Sequence, residues 1–509
     1  MALSTYLSLM LLVPIAGAGV IALFEQLKKF LAKIKICTDC VNHALANIVA
    51  LGTFLLAIVS VFDQDWLTYL GNNAGELLEY GMIQAVLITI FSFLVSMAVL
   101  FSVNYMKGKN GLGYYYALVL TLLTGLIIVV MANNFITLFI GWEMFALSAY
   151  VLVAFERRKR GAVEASLKYF IMSTAGTMLV LLATGLTYGY FGTVKFTGLF
   201  DIASKVALGS VSGGIVGLIA ALFITGFSVT AAMLFLNAWL PDAHSSAPST
   251  ISALLSGIVV KAGAFGIYRT LYFAYQDLVP AGVVLSWIGI LTMLEGNFLV
   301  FSQFWRKDII DFKRILAYST TVHLGYIILG IGSNTMLGVH ASVFHILTHS
   351  LGKGALFLLS GTLIAAVGSR DIRDMKGIGR RSPFIGIILT VSLLSLGGIP
   401  ITGGFISKLM VIVSTFSGNI DMVKLSNPAM VPAIYANNIA LVVLAVLNSL
   451  LALGGYLYIL KIMLFDEPEP TEEKVKIPIF QAISLSIIAV VIIVLGFWPD
   501  LILQPITGI

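Results

Sequence analysis

The chain has 509 residues, 59% of them hydrophobic and only 11% charged, with a mean hydropathy of +1.01. A soluble domain carries about a quarter charged residues, and apolar runs of about 18 or more residues, enough to span a bilayer, recur here, so a large soluble fold is excluded. The formal net charge of +6 does not point to nucleic acid, because the basic residues sit in short loops between apolar runs, where topology bias accounts for them.

Fourteen apolar spans are expected, at roughly 3–24, 41–62, 81–103, 114–132, 134–154, 164–190, 213–240, 249–275, 280–304, 313–331, 336–367, 383–415, 436–465 and 478–503. The first is long enough to span and a basic segment follows it, unlike a cleavable signal. Cys37 and Cys40 form one Cys-x-x-Cys in that basic loop. A structural zinc site needs four ligands and no second pair exists, so incidental thiols or a local disulfide are expected rather than metal. Loops after the odd-numbered spans hold 22 basic residues, among them Lys28, Lys107, Arg157, Arg306, Lys313 and Arg373. The opposite loops hold 4, namely Lys195, Lys205, Arg269 and Lys424. The positive-inside rule then puts both termini outside and the basic loops in the cytoplasm. The longest polar pieces are 63–80, 191–212, 416–435 and Asp466–Lys474, the last expected as a solvated acidic loop or a partner contact, with the loop favoured.

Charges inside the spans are expensive and mark function. Glu143 lies in the fifth span, where a lone carboxylate must lose its charge or find a cation. The stretch Asn237–Lys261 breaks at Pro241–Pro248, which predicts a helix–loop–helix corner at a membrane edge, and then places Lys261 within apolar sequence. His345, His349 and Lys353 recur every four residues, so they share one helix face over about 12 Å. Ile346 stands where a His-Glu-x-x-His zinc motif needs glutamate, so a titratable ladder is favoured over a metal site. His323 and His340 extend the ladder or make ordinary polar contacts. Gly397, Gly398, Pro400, Gly403 and Gly404 precede Lys408 and predict a broken helix, tolerated in a membrane only where protein or a wet cavity surrounds it. Lys168 and Glu164 are expected at the membrane edge, and Glu295 in the ninth span has no partner legible in the sequence.

NAWLPDAHSSAPSTISALLSGIVVK, GWEMF, DFKRILAYST, HILTHSLGKGALFLLSG and GIPITGGFISK together resemble the antiporter-like membrane subunits of the complex I superfamily. That superfamily includes respiratory complex I, Mrp-type cation/proton antiporters, and the membrane-bound hydrogenases and their sulfur-reducing relatives. The wording is closest to the last two branches. The resemblance spans about residues 110–465 and implies an all-α polytopic fold of about 14 transmembrane helices. It further implies two inverted five-helix repeats with helices 7 and 12 broken. The implied division is 1–110 for helices 1–3, 111–275 and 276–465 for the two repeats, and 466–509 for the acidic loop and last helix. By matching motifs, Glu143, Lys261, His345, His349, Lys353 and Lys408 are implied as the ion relay, and Lys313 with Arg314 as the family's Asp-x-Lys-Arg pair. One position departs: Thr230 stands where the family has a lysine paired with the glutamate, and Phe235 where it has a proline. Lys261 then serves as the cation for Glu143, or conduction runs mainly through Lys353 and Lys408.

The function implied is an ion-translocating subunit, for protons or sodium, of a multi-subunit respiratory redox complex in the cell membrane. Two cysteines cannot ligate an iron–sulfur cluster that wants four. Iron–sulfur clusters and a catalytic metal site are therefore expected in partner subunits, and no cofactor in this chain. The alternatives are a subunit of a redox-independent Mrp-type Na+/H+ antiporter, or a partly degenerate scaffold subunit.

Overall fold

The computed structural model describes residues 2–33, 37–62, 77–196, 212–274, 281–420, 430–467 and 475–507. Among these there is no sheet, only three isolated bridges, and 13 helices are long and apolar enough to cross a membrane. The number becomes 14 if the bent pair Ile372–Arg381 and Pro383–Gly397 counts as one span. The expected polytopic helical fold is present. Lys205, Lys424, Glu76 and most of the acidic segment 466–474 lie outside the described residues.

Burial sorts the helices. Ser249–Thr270, Phe312–Gly332 and most of Met336–Val367 are enclosed, whereas Thr38–Phe62 and Val431–Phe465 turn one side outward. Helices that are apolar all round belong in a bundle core or in lipid, so the polar residues of the enclosed helices are cut off from water. Neighbouring helices approach closely at small residues, as membrane packing favours. A Cβ on Gly125 would lie 2.7 Å from the Gly141 carbonyl, and one on Gly289 would lie 2.8 Å from that of Gly325.

The loops sort into two faces. On one, Lys109 and Lys159 pair with Glu156, Arg370 with Asp311, and Arg380 donates to the carbonyls of Leu464 and Phe465. These contacts join the loops after the third, fifth, ninth, eleventh and thirteenth spans. Burial alone would raise the Glu156 carboxyl, but the two lysines outweigh it and hold it below the usual glutamate range. On the other face Arg269 pairs with Glu79 at 2.8 Å and the Phe135 amide donates to Val194. Two residues assigned to loops are in fact buried, Arg269 at 1% exposure and Lys313 at 3%; one belongs to each face, so the basic bias persists. Cys37 and Cys40 form a disulfide.

One boundary differs from expectation. The seventh apolar stretch is helical only over Gly213–Thr230, and Trp239–Ser246 is itself a short helix. The non-helical segment is therefore 231–238, upstream of the prolines. Pro241 sits in the first turn of the short helix, where its missing amide costs no hydrogen bond.

Candidate functional site

The site is built where enclosed helices face one another. The Ser249–Ala274 stretch widens to a π turn at Leu255–Val259, just before Lys261. Such turns are rare and frequently functional. Lys261 is fully buried and its ammonium donates to the Ser256 carbonyl inside that turn. The Ser256 hydroxyl lies 2.7 Å from that of Thr320 on the next helix. The Gly257 carbonyl accepts from Ser350 at 2.5 Å, which binds the turn to the histidine-bearing helix.

On Met336–Val367, His345, His349 and Lys353 are all buried on the inward face. Lys353 donates to the Leu316 carbonyl at 2.8 Å and to the Ser319 hydroxyl. His345 Nδ1 is 2.9 Å from the Ser407 hydroxyl, and its Nε2 is 3.1 Å from His323 Nδ1. His323 Nε2 in turn lies 3.0 Å from the Tyr456 hydroxyl. The rings of His323 and His349 are 4.5 Å apart, yet neither nitrogen of His349 has a hydrogen-bond partner among the described residues. The hydrogen-bonded path therefore leaves the ladder and crosses to His323. His340 stays half-buried near the start of its helix, outside these contacts.

The glycine cluster ends one helix at Gly397 and the next begins at Gly403, with Gly398 in the left-handed region at φ +76°. A Cβ on Gly404 would stand 1.8 Å from the Ser395 carbonyl oxygen, so only glycine permits this approach. Lys408 is 4% exposed and reaches back to donate to the Gly397 carbonyl at 3.1 Å and to Ser449 at 3.3 Å. It meets the negative end of a helix dipole, which favours a cation. Its Nζ also lies 5.1 Å from the Tyr326 ring centre.

The surroundings of Glu143 and Thr230 differ. Glu143 is half-buried and faces Thr177. No ion pair joins it to Lys261, whose charged neighbour is Lys353. Thr230 is buried at the end of its helix, 3.5 Å from Ser173, and the carbonyl of Val229 accepts from the Ala232 amide at 3.1 Å and from the Trp239 indole at 2.9 Å. Glu295 finds its partner here: its carboxylate accepts from the Phe235 amide at 3.0 Å, while Thr292 accepts from Leu234 at 3.2 Å. Together they satisfy backbone donors of the non-helical segment.

Asp242 binds Lys168 at 2.6 Å and Arg314 at 2.7 Å, which fixes Lys168 at the basic face. Lys313 donates to the Ala247 carbonyl at 2.8 Å. Sequence reasoning missed His244, fully buried and stacked 4.5 Å from Phe357, with neither ring nitrogen hydrogen-bonded. It also missed Tyr456, Ser319 and Ser407, which no local pattern distinguishes from other helix hydroxyls. Among the described residues no group of three or more His, Cys, Asp or Glu is placed to hold a metal ion.

Residues 132–427 match the family model described as NADH:quinone oxidoreductase/Mrp antiporter, TM. F(420)H(2) dehydrogenase subunit N of Methanosarcina mazei is 28% identical over 475 residues, 90% of each chain. Hydrogenase-4 component B of Escherichia coli is 31% identical over 438 residues, 82% of this chain and 62% of that one. Among solved structures, a chain of the membrane-bound sulfane sulfur reductase, an archaeal respiratory membrane complex, superposes with a TM-score of 0.81. It is 25% identical, and the match covers 98% of this chain and 96% of that one.

Proposed function

Because the chain belongs to the NADH:quinone oxidoreductase/Mrp antiporter transmembrane family, we propose that it is the ion-translocating membrane subunit of a multi-subunit respiratory redox complex, moving protons or sodium ions. The observation that carries this is the enclosed row of Lys261, Lys353, His349, His323, His345 and Lys408 on facing helices, each 4% exposed or less. Ionisable groups at that depth are costly and mark ion pathways and proton relays. Lys353 and Lys408 each have a hydrogen-bonded rest position on a carbonyl and a hydroxyl, from which they can release and regain a proton. Lys261, Lys353 and Lys408 serve as proton-holding stations and the histidines as the link. Glu143 stands at the entrance of the first half, and Thr230 marks where that half lacks its lysine.

Two inverted repeats, 111–275 and 276–465, are supported by paired features. The first two helices of each half cross at glycines, and each half has a helix interrupted near a site residue, at 231–238 and 398–402. The basic face is assigned to the cytoplasm and both termini to the outside by the positive-inside bias.

The test is Lys261→Ala and Lys353→Ala in the assembled complex, with ion uptake followed in membrane vesicles. Loss of uptake in both supports the relay, and full uptake in both refutes it. Uptake that requires the electron donor supports the redox complex. Uptake driven equally well by an imposed ion gradient, with no redox partner co-purifying, favours the Mrp-type antiporter.

A further inference from the structure

Cys37 and Cys40 are the only cysteines of the chain, and the relay makes no use of them. A disulfide joins them and both are exposed. The pair lies on the basic face: Glu25, which begins the same loop, accepts from the Gly113 amide at 3.1 Å, beside the loop that carries Lys107 and Lys109. A crosslink stabilises a fold more the longer the loop it closes, and only Thr38 and Asp39 lie between these two cysteines. The start of the helix Thr38–Phe62 is held without it, by Lys28 to Asp39 at 2.6 Å, Asn42 to Glu25 at 2.9 Å and His43 to the Tyr116 hydroxyl at 2.6 Å. The disulfide can therefore open with the helix in place.

The two sulfurs are not equivalent. Cys37 caps the helix: its carbonyl accepts from the Val41 amide at 3.1 Å, and its Sγ accepts from the Cys40 amide at 3.3 Å. Backbone donors and the positive end of a 25-residue helix favour a sulfur anion at that point, the setting in which a Cys-x-x-Cys thiol becomes reactive. The nearest carboxylate in sequence, Asp39, is offset by Lys28. Cys40, at the end of the first turn, opens on a cavity of about 600 Å³ that His43 and Asn47 also line, which leaves room beside the pair for an incoming small molecule.

We propose that Cys37 and Cys40 form a redox-active dithiol/disulfide site that exchanges with soluble thiols and disulfides on the cytoplasmic side, with Cys37 as the nucleophile and Cys40 as the resolving thiol. In the oxidising direction the Cys37 thiolate attacks one sulfur of a soluble disulfide. A bond from Cys37 Sγ to that sulfur forms, the reagent's S–S bond breaks, and one thiolate leaves. Cys40 then attacks Cys37 Sγ and expels the second sulfur, which departs as a thiol with the proton of Cys40. The chain gives up two electrons, and the soluble disulfide takes them up in becoming one thiolate and one thiol. Soluble thiols run the same steps backwards and reopen the bond. Cytosolic disulfides are ordinarily transient, catalytic or redox-sensing, so a pair exposed on that side follows the thiol balance of the compartment. The site rests on the assignment of the basic face to the cytoplasm and not on the relay.

Because the chain has no other cysteine, thiol-specific mass tags on it count the pair directly. In sealed inside-out vesicles holding the assembled complex, a membrane-impermeant phosphine reductant is expected to open the bond, so that both cysteines of each chain take a tag. Right-side-out vesicles should give none, and oxidised glutathione added after the reductant should close the bond again. In Cys40→Ser, oxidised glutathione should add to Cys37 at least about tenfold faster than it adds to Cys40 in Cys37→Ser, because the thiolate is the attacking species. Equal rates in the two variants overturn the assignment of Cys37 as nucleophile. A bond that opens only after denaturation, in either orientation, overturns the site without touching the topology. Tagging confined to right-side-out vesicles overturns the cytoplasmic site and the topology together.

Discussion

Lys408→Met tests the end of the relay with little disturbance of packing. The substitution keeps a long flexible stem and removes the ammonium. Lost with it are the bonds to the Gly397 carbonyl at 3.1 Å and to Ser449 at 3.3 Å, and the approach to the Tyr326 ring at 5.1 Å. A hydrogen bond from a charged group contributes about 1.5–3 kcal/mol, and a desolvated cation–π contact about 2 kcal/mol. Against these stands the effective desolvation cost of a buried ion, on the order of several kcal/mol. The terms nearly offset, so the variant is expected to fold and assemble. Transport is different, because the amine proposed as the end station of the relay is gone. A loss of at least about 100-fold is expected, equivalent to about 2.7 kcal/mol of barrier at 1.36 kcal/mol per decade. The assay is donor-driven uptake into vesicles, normalised to assembled complex. An assembled variant that keeps uptake within about twofold of the parent would refute the reasoning.

Two further outcomes follow from contacts of different kinds. Gly404→Ala sets a methyl group 1.8 Å from a backbone oxygen that cannot move without unwinding its helix, whereas Gly257→Ala meets a terminal methyl of Leu94 at 2.1 Å, which can rotate. The yield of assembled protein should collapse for the first and fall modestly for the second; equal yields would show that the helix end at Gly397 is soft. Glu143→Gln removes a carboxylate that has no ion pair among the described residues, so uptake should stay within about threefold. A loss as deep as that of Lys408→Met would mean that a cation from another subunit completes the first half.

The sequence reveals the sites whose signals are local. Apolar length marks the spans, the four-residue spacing aligns His345, His349 and Lys353, and five closely spaced glycines and prolines locate the interruption before Lys408. What it hides is tertiary. The contact between His323 and Tyr456 joins residues 133 apart, and a tyrosine on an apolar helix face looks like any other. The other interruption misleads because its residues are ordinary. Segment 231–238 contains no glycine or proline, yet Ala232 and Phe235 adopt positive φ of 47° and 59°. Non-glycine residues hold such angles only when their surroundings over-determine them, and here Glu295 and Thr292 on another helix accept the exposed amides. Pro241, the obvious breaker, sits in the first turn of the following helix instead.

The two interruptions solve one electrostatic problem in opposite ways, and the difference bears on what each half can do. A helix that stops inside the bilayer leaves carbonyls without partners and a negative dipole end. At Gly397 that end is met by the ammonium of Lys408, a charge that disappears when the amine gives up its proton. At Val229 it is met by the Trp239 indole, which stacks 4.0 Å from Tyr169 and cannot titrate. Thr230, beside it, offers only a hydroxyl to Ser173. A neutral cap stabilises the break equally in every protonation state of the protein, so this end cannot respond to a passing charge. The interruption before Lys408 therefore has the parts for switching, and the one after Thr230 is held by contacts that do not switch. That asymmetry is the reason the proposed relay runs from Lys261 and Lys353 to Lys408.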